Sequence, residues 1–228
     1  MLFALPYDVN IKTILWIPVM VYLAIIGTIF VRKMKKAPKE IASQKAMYRG
    51  MAFVFYLYIG VRIFFMLSDY ERVRPDYPLT GDTNLYFQFV ALSYVCAITA
   101  FINLIYAFEK YIIRKTKFLM TTVFVILLCV NIVLLFFPSL MQTMRYINYV
   151  PLYIELGTLF LLYLYLAKKT SGKLRRNTLI AIVGLLLMAA AAILESEFLS
   201  ATGLILPYYS PLMFAIGATI FAIGQRQV

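Results

Sequence analysis

The sequence predicts an all-α membrane protein: a seven-transmembrane-helix bundle with its N-terminus outside and its C-terminus cytoplasmic. Three observations predict it. Apolar runs of about twenty residues recur along the 228-residue chain, the length needed to cross a hydrocarbon core. Hydrophobic residues make up 63% of the sequence and charged ones 14%, where a soluble domain carries about 25%. Basic residues gather in alternate short connections, most densely in Val31–Met51, which holds Arg32, Lys33, Lys35, Lys36, Lys39, Lys45 and Arg49. Such a block is costly to translocate, so it stays inside and orients its neighbours.

Taken in order, the first span covers about 11–31, with Trp16 near the outer interface and Pro18 two residues deeper. The stretch before it has neither a basic leader nor a small-residue cleavage site, so it does not read as a cleaved signal peptide. Pro38 suits the first turn of a helix that continues through KEIASQKAMYRG into span 2, about 51–67. Ser68–Tyr86, punctuated by Pro75, Pro78 and Gly81, reads as the longest outer connection. Span 3 (86–108) returns to the basic segment EKYIIRKTK, and span 4 covers 118–137. PSLMQTMRYINY reads as a short outer connection before span 5, 150–167. KKTSGKLRRN is the third basic segment; spans 6 (178–199) and 7 (210–224) follow, joined by ATGLILPYYSP. Gly184, Ala189 to Ala192, Gly217 and Gly224 predict close packing of the last two spans, because small residues let backbones approach.

Seventeen of the 22 Lys and Arg fall in segments assigned inside; only Lys12, Arg72, Arg74 and Arg145 fall outside, and Arg62 lies within a span. This asymmetry supports seven spans in a multi-pass protein of the cell membrane. The whole chain, 1–228, reads as one transmembrane domain without an internal repeat. The net charge of +12 sits in short inter-span segments, which suits anionic headgroups at the inner face and argues against nucleic acid.

Histidine is absent, and the two cysteines, Cys96 and Cys129, lie in apolar runs. Metal sites built on His, Ser-His or Cys-His nucleophiles and imidazole relays are thereby excluded. Phosphate loops, HExxH and GxSxG motifs are missing as well, and span 7 has no lysine for a retinal Schiff base. The sequence therefore predicts neither an enzyme nor a bound cofactor. Glu109-Lys110-Tyr111 only faintly resembles the acidic-Arg-Tyr motif of G-protein-coupled receptors, and NPxxY has no counterpart.

Ionisable residues inside a span are costly and point to a site or an ion pair. Arg62 lies thirteen residues beyond Arg49, about 20 Å along a helix. Asn131 lies fourteen beyond Lys117 and Glu155 thirteen before Lys168, so the three reach one depth, with Glu195 higher. Two compatible arrangements fit these positions: an outward-opening polar cavity, or a buried pair of Arg62 with Glu155 or Glu195. In a third, Arg62 snorkels to the outer interface.

FEKYIIRKTKFLMTT (Phe108–Thr122), AKKTSGKLRRNTLIAIVG (Ala167–Gly184) and LPYYSPLMFAIGATIFAIG (Leu206–Gly224) together cover about a quarter of the chain. With their basic Ser-Gly-x-x-Arg segment and Pro-led last span, they resemble the seven-helix membrane regions of prokaryotic, especially archaeal, sensor proteins. Such regions also precede histidine kinase domains. The resemblance implies a receptor-like binding module for signal transduction. Because the sequence ends at Val228, output is expected through a separate protein partner unless a further segment follows. A small transporter or channel subunit, or a structural subunit of a membrane complex, is the alternative.

Overall fold

In hydrocarbon each backbone N–H and C=O must be satisfied within its own segment, so apolar runs of this length fold as helices. The computed structural model describes residues 6–38, 41–73, 85–113, 116–194 and 209–225. Among them are seven α-helices and no strand: α1 (Pro6–Lys36), α2 (Ala42–Val73), α3 (Leu85–Tyr111), α4 (Leu119–Leu134), α5 (Pro138–Lys169), α6 (Gly172–Leu194) and α7 (Tyr209–Gly224). Four stretches are long and apolar enough to cross a membrane: Ile11–Lys36, Ala42–Glu71, Leu85–Tyr111 and Gly172–Leu194. The apolar helices α4 and α7 are shorter.

Several boundaries differ from the sequence expectation. Ser68–Val73, expected as loop, continues α2, since the first breaker is Pro75 and the residues before it tolerate helix. PSLMQTMRYINY is not a connection but the beginning of α5, whose first residue is Pro138. Proline suits that position because its missing N–H is one of the helix's unpaired donors anyway. The turn from α4 is correspondingly tight, with the Phe137 N–H donating to Leu134 O at 3.0 Å. Pro151, expected near a helix start, therefore lies inside α5. Three helices end in lysines: Lys33, Lys35 and Lys36 in α1, Lys110 in α3, and Lys168 and Lys169 in α5. Cations there complement the negative end of the helix dipole.

The chain divides into two compact units, Met1–Leu23 with Leu156–Val228, and Ala24–Glu155. In the first, α6 packs on α7 with almost no side chain between them. A Cβ on Gly217 would lie 2.8 Å from the Met188 nitrogen, and one on Gly184 would collide with the Phe221 backbone. A Cβ on Gly224 would meet Asn177 O at 2.7 Å. The Ser210 hydroxyl bridges the same helices, donating to Ala191 O at 3.0 Å. Trp16 is fully buried, with its ring 5.7 Å from that of Phe214. The Tyr22 and Thr219 hydroxyls hydrogen-bond at 2.7 Å, and Gln225 Nε2 donates to the Tyr163 hydroxyl at 2.9 Å.

In the second unit, α2 runs antiparallel to α3. Gly50 faces Leu104, where a Cβ would lie 3.0 Å from the Leu104 Cα, and Gly60 faces Cys96. Further along, Phe65 meets Tyr94 edge-on at 6.1 Å, and Phe64 stacks on Phe89 at 6.5 Å. Phe30 of α1 stacks on Phe55 of α2 at 5.7 Å. Leu134 of α4 packs with Ala91 of α3, flanked by Phe87 and Leu135.

Candidate functional site

The α2–α3 register sets the depth of Arg62. Gly60 is level with Cys96 and Phe65 with Tyr94, so Arg62 falls at the 94–96 level of α3. Because Leu134 packs on Ala91 and α4 also runs antiparallel to α3, Asn131, one turn earlier, reaches that same level. Both are buried, Arg62 with 4% and Asn131 with 1% of their surface exposed. Arg62 is thus enclosed by protein rather than directed to lipid, and its guanidinium lies 5.8 Å from the Phe65 ring centroid.

Asn131 Nδ2 donates to Leu127 O at 2.9 Å, one turn back on its own helix. Its Oδ1 is buried with no hydrogen-bond partner among the described residues. Such an acceptor is unfavourable unless something donates to it. Ser93, fully buried on α3, satisfies its own hydroxyl locally, donating to Val90 O at 2.6 Å. The Glu155 side chain and residue Glu195 lie outside the described residues. No group of three metal-ligating residues occurs among the described ones.

Glu109, noted in the sequence only for a faint receptor-like motif, is a second buried charged residue, with 2% exposure. Its position follows from a deficiency in α4. That helix starts after Phe118, which has no polar side chain to cap it. The carboxylate of α3 does so instead. Glu109 Oε1 accepts from the Met120 N–H at 3.0 Å and Oε2 from the Thr121 N–H at 2.8 Å, while the Thr121 hydroxyl also donates to Oε2. A negative group at a helix N-terminus is favoured by the dipole as well. The available signal was a solitary acid opening a basic segment, ten or so residues before a helix with no Ser, Thr, Asp or Asn to begin it.

No known family, curated protein or solved structure matches this chain.

Proposed function

We propose that the protein is a seven-helix sensor of the cell membrane, N-terminus outside and C-terminus cytoplasmic. In this reading a small polar ligand enters an outward-facing pocket at the level of Arg62 and Asn131. A cytoplasmic or membrane partner takes the output. The observation that carries the pocket is the buried Asn131 Oδ1, an acceptor with no donor among the described residues, at the depth of a buried guanidinium. An intramembrane polar group of this kind is a functional-site hypothesis by default. A cation and an open acceptor at one level of α3 suit a ligand carrying both an anionic oxygen and a hydrogen-bond donor. The alternating basic segments support the orientation, and the sequence resemblance to sensor membrane regions supports the signalling role.

The test needs no ligand. In a background with Cys96 and Cys129 replaced by Ala, Asn131→Cys is treated with a membrane-impermeant thiol reagent from each side of sealed vesicles. Labelling from outside is expected, with none from inside at Asn103→Cys. Access to Asn103→Cys from inside together with Asn131→Cys from outside would mark a continuous polar path and favour a transporter. No labelling at Asn131→Cys would remove the pocket.

A further inference from the structure

The two residues that lead into α4 are held under strain. Lys117 and Phe118 are consecutive non-glycine residues with φ of 47° and 62°, in the left-handed region that side chains disfavour. Such residues persist only where their surroundings hold them. Three contacts do so here: the Glu109 carboxylate draws in the first turn of α4, Phe118 stacks on Tyr106 at 5.5 Å, and the Thr116 hydroxyl donates to Ile113 O at 2.9 Å. Lys110, the neighbour of Glu109, turns the other way and donates to the Tyr106 hydroxyl at 3.2 Å. A cap alone requires no left-handed pair, since an ordinary Ser or Asp before Leu119 would cap α4 locally.

The far end of the same helix carries Asn131, ten residues and about 15 Å from Thr121. The α4 helix is one rigid rod between them, anchored at one end by Glu109 and packed at the other on Ala91 through Leu134. We propose that the α3–α4 turn is a strained latch that regulates, and is regulated by, the Arg62–Asn131 pocket. Glu109 holds the first turn of α4 against the left-handed pair. A shift of α4 at Asn131 releases the turn and changes the surface offered to the partner. The inference rests on the pocket reading above, and its test is separable from that of the pocket.

Hydrogen exchange of the Met120 and Thr121 amides is measured on the full chain in nanodiscs. Glu109→Gln leaves one oxygen but places an NH2 against N–H donors, so exchange at these amides rises about tenfold. Lys117→Gly relieves the backbone without removing a packed side chain, because Lys117 is exposed; exchange falls, and Glu109→Gln with Lys117→Gly recovers part of the protection. Lys117→Gln, which keeps the strain and removes the charge, leaves exchange as in the parent. Asn131→Leu shifts exchange at 120–121 several-fold, and Val130→Leu on the exposed side of α4 does not. Unchanged exchange in Glu109→Gln, or faster exchange in Lys117→Gly, overturns the latch; should Glu109→Gln fail to fold, Lys117→Gly decides alone. An Asn131→Leu effect no larger than that of Val130→Leu overturns the coupling. Labelling of Asn131→Cys still reports the pocket independently in every one of these cases.

Discussion

Glu109 and Arg62 are both buried charges, and their surroundings give them different consequences. Glu109 has three donors on its two oxygens, so its burial is compensated by hydrogen bonds that a charge strengthens. Glu109→Ala leaves the α4 amides uncapped and is expected to lower stability by about 1–2 kcal/mol, the usual range for losing an N-cap. Thermal melting of the detergent-solubilised protein reads this directly, and an unchanged melting temperature would refute it. For Arg62 the pocket reading predicts water around the guanidinium. Arg62→Met and Glu155→Leu should then each cost under about 1 kcal/mol, with little coupling in the double variant. A dry ion pair gives single losses of roughly 3–5 kcal/mol and recovery in the double variant, an outcome that would sink the pocket. The depth shared by Arg62 and Asn131 was legible in the sequence because helical rise converts residue number directly into height. The role of Glu109 was not, because its partners are eleven and twelve residues away across a turn whose left-handed geometry leaves no compositional mark.

At the scale of elements, the glycines of α6 and α7 were legible for a related reason. Small residues spaced along two apolar helices have few uses other than close backbone approach. The structure gives that approach a position: Gly217 against Met188, and Gly184 against Phe221. Gly217→Leu is expected to destabilise by at least 1–3 kcal/mol, about the cost of overpacking, whereas Phe221→Leu only trims a side chain and costs less. Gly157→Ala in α5 supplies the comparison, since a Cβ there meets nothing within 4 Å. It should be neutral or stabilising by up to about 1 kcal/mol through helix propensity. Equal melting of Gly217→Leu and Gly157→Ala would refute the close-packed crossing. The ends of helices were less legible. Hydropathy marks where a segment is apolar, whereas a helix continues wherever its backbone bonds continue, as α2 does through Asp69 and Glu71 and α5 does from Pro138.

For the whole molecule, the capacity to cross a membrane and the orientation within it depend on different features of the chain. Four described stretches have the length and apolarity to cross a membrane, and their large hydrophobic residues are exposed along them, as with Ile14, Ile17, Val21 and Ile25 of α1. A helix whose outward face is that apolar is stable only against lipid or further protein. The proposed orientation rests instead on charge. Lys168, Lys169, Lys173, Arg175 and Arg176 are all exposed across the turn from α5 to α6, with no acidic residue among them. Positive segments of this kind remain on the cytoplasmic side, where anionic headgroups attract them by about 1 kcal/mol for each Lys or Arg near the surface. The proposed orientation would have the α1–α2 and α5–α6 connections inside and the C-terminal end of α2 outside. In the background lacking Cys96 and Cys129, an impermeant thiol reagent added to sealed cells should therefore label Tyr70→Cys, since Tyr70 is 63% exposed at that end of α2. It should leave Ala42→Cys and Ser171→Cys unlabelled until the membrane is opened, although both positions are exposed on the protein. Labelling of Ser171→Cys in sealed cells would put the densest part of the third basic segment outside. The seven-span order would then fail, and with it the assignment of the pocket to the outer side.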